Sequence, residues 1–147
     1  GCTGPLSAAL RKAAREYHGM DVVSNPGIEN YHQVDLDDTR RDALPPVGGL
    51  ELIVASEVME HLSNPGHFLD MVRSENAPVV LSVPNAFSEV GFQHVRCGVE
   101  NVNRQHVAYY SYHTLLELVI RAGFKLREWH WYGGKPFIAE GLIFCLE

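Results

Sequence analysis

Residues 79–83, Val-Val-Leu-Ser-Val, stand between Pro78 and the pair Pro84-Asn85, and they constrain the fold more than any other stretch of the chain. A short apolar run rich in β-branched residues and bounded by prolines reads as a strand covered on both faces, the habit of parallel sheets flanked by helices. Residues 50–55, Leu-Glu-Leu-Ile-Val-Ala, form a second run of this kind, long enough for a buried strand and too short for a helix. Between the two, Asn64-Pro65-Gly66 leads into a helix at about residues 67–74, with Phe68, Leu69, Met71 and Val72 as its apolar residues. Strand, helix, strand in this order is the unit of a parallel sheet.

The remaining segments continue the alternation. Leu6, Ala9, Leu10, Ala13, Ala14 and Tyr17 form a helical apolar stripe, with Pro5 suited to the first turn and Gly19 to the stop. Residues 18–23 read as a short strand carrying Asp21, residues 24–27 as a turn, and residues 31–36 as another short strand with Asp35 near its end. Residues 37–46 are charged and end in proline, a surface loop, and residues 87–105 show no clear period. The latter read as an excursion over the sheet's carboxyl edge, where substrate contacts usually lie. Ser111 is a good N-cap for a helix over residues 112–122, with Leu115, Leu116, Val119 and Ala122 facing inward and Gly123 as its stop. Residues 125–132 and 140–146, joined through Gly133-Gly134, read as an antiparallel pair. The expectation is one α/β domain with a doubly wound, mostly parallel sheet and an antiparallel C-terminal pair, a size that 147 residues allow.

Charge and cysteine usage narrow the function. A net charge of −6 argues against nucleic acid as a partner, since its binders carry a basic patch. Cys2, Cys97 and Cys145 are odd in number and widely spaced, which indicates neither a disulfide framework nor a zinc knuckle and fits a reducing, cytoplasmic setting. No apolar run approaches the roughly 18 residues that a membrane span requires.

Chemistry concentrates after the strand at 50–55. Ser56 begins the polar stretch, and Glu57, Glu60 and His61 stand at i, i+3 and i+4. On a helical turn these three side chains fall within an arc of roughly 100°. Two carboxylates that close repel unless a proton or cation lies between them, so the spacing suits a metal or an acid/base pair. The plainer reading is the solvated face of a surface turn, because Glu is seldom fully buried. Location favours the first, since α/β sheets bind ligands at the carboxyl ends of their strands. Asp21 fits this picture as the acidic strand end that holds ribose hydroxyls, roughly 20 residues beyond a glycine-containing turn. Tyr109, Tyr110 and Tyr112 read first as core and second as stacking groups for an acceptor. Trp129, Trp131 and Tyr132 read as core or as a subunit contact in a homodimer, and exposed aromatics there would also suit a sugar.

Taken together these residues resemble the class I S-adenosylmethionine-dependent methyltransferases, and the resemblance spans the whole chain. Gly1-Cys-Thr-Gly4 is similar to the tail of the family's glycine-rich cofactor loop, Gly19-Met-Asp21 to the ribose-holding strand end, and Val34-Asp35-Leu36 to the adenine-contacting position. Ala55-Ser-Glu-Val-Met-Glu-His-Leu62 followed by Asn64-Pro65, then Leu81-Ser-Val-Pro-Asn85 and Gly123-Phe124, are similar to the later motifs. The resemblance implies a Rossmann-like fold and cofactor contacts at Gly1, Thr3, Gly4, Asp21, Val22, Asp35, Leu36, Ser56 and Glu57. It also exposes departures. The family's first strand is absent because the sequence starts at Gly1, so the domain at residues 1–147 reads as N-terminally incomplete or as filled there by another segment. The glycine loop is one residue short. The helix between the second and third strands is replaced by residues 24–29, which leaves a more open pocket.

Within the family, Glu-x-x-Glu-His with a later His is similar to a divalent-metal site of plant small-RNA 2′-O-methyltransferases and ubiquinone-pathway O-methyltransferases. Carried over, the ligands are Glu57, Glu60, His61 and His106. Carboxylates suit Mg²⁺, while imidazoles also accept Mn²⁺, Fe²⁺ or Zn²⁺. Without a metal, His61 or His106 would act as general base. The implied activity is O-methylation of a small molecule or sugar. Two alternatives stand beside it, an RNA 2′-O-methyltransferase and a non-catalytic, methyltransferase-like scaffold.

Overall fold

In the computed structural model, which describes residues 4–38, 40, 44–100 and 102–147, the chain runs through ten regular elements and one 3₁₀ turn. They are α1 (Pro5–Ala13), β1 (Gly19–Asp21), β2 (Tyr31–Gln33), β3 (Ile53–Ser56), the 3₁₀ turn (Met59–His61), α2 (Pro65–Ser74), β4 (Val79–Pro84), α3 (Glu89–Arg96), α4 (Tyr112–Arg121), β5 (Leu126–Tyr132) and β6 (Gly141–Leu146). β1 and β2 pair in parallel as one sheet, and the second has the order β3-β4-β6-β5. In it β3 and β4 are parallel, while β6 is antiparallel to both of its neighbours. The expected alternation and antiparallel close are therefore present, with the described strands divided between two sheets.

The apolar runs behave as their composition requires. Val79, Leu81 and Val83 of β4 are buried, and so are the four apolar residues expected on α2, Phe68, Leu69, Met71 and Val72. Leu115 and Val119 of α4 and Leu142, Phe144 and Leu146 of β6 complete the same core. Each such side chain contributes about 1.5–3 kcal/mol when fully removed from water. Caps fix the helix starts: Asn64 accepts from the His67 N–H, and Ser111 and Thr114 form a reciprocal capping box. Gly123, at φ 86°, supplies the left-handed stop after α4.

Three expectations are corrected. α1 ends at Ala13, and of its helical residues only Ser7 is buried, its hydroxyl 3.0 Å from that of Tyr17. Leu6 stays 49% exposed, so the stripe is not a core face. β1 and β2 are shorter than read from sequence because side chains intercept the backbone: Asp21 Oδ1 accepts from the Val23 N–H and Asp35 Oδ1 from the Asp37 N–H. Such local turns compete with the ladder. Residues 89–96 form α3 rather than irregular chain, capped by Ser88 accepting from the Gly91 N–H.

The loop after β4 is anchored by one side chain. Buried Asn85 donates through Nδ2 to the carbonyls of Phe137, at 3.0 Å, and Ala139, at 2.9 Å, while its Oδ1 accepts from the Phe87 N–H. Asn85→Ala leaves the buried Ala139 carbonyl without this donor, and urea denaturation should register a loss of about 2 kcal/mol.

Candidate active site

β3 and β4 deliver their carboxyl ends to one edge in register, Ser56 beside Ser82, with the two hydroxyls 2.9 Å apart. The next residue, Glu57, continues the ladder through its N–H to the Ser82 carbonyl but takes φ 54°, a left-handed conformation that costs a non-glycine residue about 1–3 kcal/mol. Its carboxylate is held from across the sheet, by the Ser82 hydroxyl at 3.1 Å and the Tyr132 hydroxyl at 2.7 Å. Tyr132 closes β5 and faces Gly141 of β6, where a Cβ would overlap the tyrosine ring. Desolvation, followed by the hydrogen bond to Glu57, raises the Tyr132 phenol well above its usual range, so it remains a donor.

The left-handed residue breaks the helical turn assumed from the spacing. Glu57 stands outside it, while Glu60 and His61 lie on the 3₁₀ turn with His106 packed against them. Glu60 is 1% exposed, and neither of its carboxylate oxygens has a hydrogen-bond partner among the described residues. His61 Nε2 lies 3.8 Å and His106 Nε2 3.9 Å from Glu60 Oε1. The imidazoles meet edge to face, with centroids 4.7 Å apart. Nδ1 of His61 is 3.2 Å from the Gln105 carbonyl. Donation from Nδ1 to that carbonyl leaves Nε2 as the nitrogen facing Glu60, the outer-shell arrangement seen at metal-binding histidines.

The loop bearing His106 is stitched to the turn. The Glu60 carbonyl accepts from the N–H groups of Val107 and Ala108, and the Tyr110 hydroxyl donates to the Met59 carbonyl at 3.2 Å. Burial, then the nearby Glu60 charge, pushes the Tyr110 phenol up to about 12. Desolvation is also the largest cause acting on Glu60, which rises from 4.5 to about 7; its own backbone N–H opposes the rise and the charge of Glu57 adds to it. His106 is lowered, by desolvation first and by His61 second, and so favours the neutral form that ligates metal. The chemistry of this cluster, one buried unpartnered carboxylate and two imidazole nitrogens with all ligand atoms within 4.8 Å, fits a divalent cation. Glu57 is not part of it.

The other expected site residues lie at strand ends. Asp21 and Val22 end and follow β1, Asp35 and Leu36 follow β2, and Gly4 is the N-cap of α1, with open space where a Cβ would point. Asp37, unremarked in the sequence, accepts from the Ser63 and Asn64 N–H groups and so brings the chain after β2 against the segment after His61. Hydrogen bonds centred on Ser63 hold its carboxyl below the usual range. Gly1 and Thr3 lie outside the described residues. A cavity of about 570 Å³ lies elsewhere, lined by Arg11, Tyr17, Gly27 and Asn30 among others, and contains none of the expected site residues. Of the tyrosines, Tyr110 is buried and Tyr112 packs on Trp129 and Phe144, whereas Tyr109 is 54% exposed and donates to Glu100. Sequence reasoning missed Ser82 and Tyr132 as site residues. A lone hydroxyl in an apolar strand, and a tyrosine opposite a glycine, were the available signals.

Residues 1–128 match the methyltransferase domain family. A comparison with curated proteins finds no match. Among solved structures, an S-adenosylmethionine-dependent methyltransferase from Archaeoglobus fulgidus is similar with a TM-score of 0.72 at 13% identity, over 96% of this chain and 80% of that one. One from Mesorhizobium loti gives 0.67 at 14% identity, over 99% and 87%. The 1,6-didemethyltoxoflavin-N1-methyltransferase of Burkholderia thailandensis, solved with 1,6-didemethyltoxoflavin and S-adenosylhomocysteine, gives 0.67 at 13%, over 97% and 65%. Likeness at these identities shows the fold. With the family match across most of the sequence, the chain belongs to the methyltransferase domain family, and its fold is that of S-adenosylmethionine-dependent methyltransferases.

Proposed function

We propose that this methyltransferase acts on a hydroxyl of a small molecule or sugar, with Glu60, His61 and His106 as the group that receives the hydroxyl's proton or holds a divalent cation beside it. The observation that carries this reading is the buried Glu60 carboxylate, unpartnered among the described residues and faced by two imidazole nitrogens. Gly4, Asp21, Val22, Asp35, Leu36, Ser56 and Glu57 would hold the cofactor along the strand ends, with the methyl aimed at an acceptor in line behind it. Positioning of that kind supplies much of the acceleration in a displacement reaction. A cation in the cluster, Mg²⁺ or a transition-metal ion, supplies positive charge that favours loss of the acceptor's proton. Without it, the imidazole of His106 or His61 serves as base. The net charge of −6 supports a small acceptor over RNA, and no helix among the described residues is long and apolar enough to cross a membrane.

Thermal unfolding tests the cofactor half of the proposal. S-adenosylmethionine at 100 times its dissociation constant should add about 2.7 kcal/mol of stability. Asp21→Ala should weaken that response while leaving the unliganded melting temperature close to the parent's. No stabilisation of the parent by the cofactor would leave the chain as a scaffold. Methyl incorporation from labelled cofactor into a panel of phenols, hydroxy acids and sugars then identifies the acceptor, and incorporation into RNA alone would overturn the small-acceptor reading.

A further inference from the structure

Four strands meet at one edge of the larger sheet, and residues at or near that edge form a chain of contacts. Tyr132 on β5 passes over Gly141 on β6, and its hydroxyl reaches Glu57 beyond β3, whose same carboxylate oxygen also accepts from Ser82 on β4. Gly141 is what allows this path, because any side chain there would occupy the place of the tyrosine ring. Glu57 stands between β3 and the 3₁₀ turn that carries Glu60 and His61, yet its carboxylate lies outside the group of ligand atoms that come within 4.8 Å of one another. A second acidic ligand is thus held beside the cluster by two hydrogen bonds, each from a residue remote in sequence.

The withdrawal decides the donor set. With Glu57 included, two carboxylates would present the hard oxygen ligands that suit Mg²⁺; without it, one carboxylate and two imidazoles suit Mn²⁺, Co²⁺ or Zn²⁺. We infer that Tyr132, assisted by Ser82, keeps Glu57 out of the Glu60–His61–His106 cluster and so gives that cluster its preference for a transition-metal ion over Mg²⁺. This rests on the reading of the cluster as a metal centre. Tyr132 is accordingly a positioning residue, acting on the ion through Glu57.

Calorimetric titration of the whole chain with MnCl₂ and with MgCl₂ tests it. The parent should bind Mn²⁺ more tightly than Mg²⁺. Tyr132→Phe keeps the ring and removes the donor, and should tighten Mg²⁺ by about tenfold, the scale on which outer-shell partners act on metal affinity. The ratio of the two affinities should narrow with it. Ser82→Ala, acting from another strand, should move the ratio the same way, and Tyr132→Phe with Glu57→Gln should restore the parent's ratio. If Tyr132→Phe does not fold, as judged by circular dichroism, the Ser82→Ala ratio decides alone. A parent that binds Mn²⁺ but variants with unchanged Mg²⁺ affinity would overturn the role of Tyr132 and spare the metal centre. A parent that binds neither ion would overturn both.

Discussion

Glu60→Gln is expected to lower the rate of methyl transfer by about 10²–10⁴-fold, the usual contribution of a group that moves a proton in the transition state. Glutamine matches glutamate in size, so the core around the 3₁₀ turn stays packed, and the backbone bonds from the Glu60 carbonyl to Val107 and Ala108 are untouched. What is removed is the carboxylate facing His61 and His106. Affinity for S-adenosylmethionine should therefore match the parent's, which places the loss in kcat rather than in cofactor binding. Steady-state kinetics with labelled cofactor and the acceptor found by panel screening provide the check. Transfer at the parent's rate would remove Glu60 from the mechanism.

The second large effect is on stability, in the chelator-treated protein. Burial raises the Glu60 carboxyl from 4.5 to about 7, so between those values the folded state holds a proton that the unfolded chain has lost. Stability must then fall as pH rises through this window, by about 3 kcal/mol in all. His106 works in the opposite sense. Its lowered value means that the unfolded chain binds the extra proton just below the ordinary histidine range, and stability rises with pH there. Comparison with Glu60→Gln separates the two, since the variant retains His106 and lacks the titrating carboxylate. Urea denaturation at about pH 5 and about pH 8 should show the parent losing ground to the variant as the pH is raised. Parallel behaviour of the two proteins would contradict the burial of an ionisable Glu60.

How far the sequence could show this arrangement depends on whether each feature is local. Continuous apolar runs located β3 and β4, the turn residues Asn64-Pro65-Gly66 placed the start of α2 to within two residues, and Ser111 and Gly123 placed the ends of α4, because each signal lies within a few residues of the structure it specifies. Asp21 and Asp35 stand at expected ligand positions, and their side chains also end the strands that carry them, a backbone effect the alternation does not show. α3 escaped because none of its residues is buried, so Val90, Phe92 and Val95 carry no core-facing period. Spacing groups Glu57 with Glu60 and His61 only on an unbroken helical turn. The Glu57 backbone is left-handed and its carboxylate is held by partners 25 and 75 residues away, Ser82 and Tyr132, and no spacing rule reaches that far. His106 came from family resemblance alone, since it joins the cluster through a loop hydrogen-bonded to the 3₁₀ turn.

In the proposed function the cofactor's methyl group lies beside the Glu60–His61–His106 cluster, and nuclear magnetic resonance reads that neighbourhood directly. With Mn²⁺ titrated into the complex, the S-methyl proton signal of bound S-adenosylmethionine should broaden strongly in the parent and remain sharp in Glu60→Gln. A methyl signal equally sharp in both, with cofactor and Mn²⁺ shown to be bound together, would contradict it.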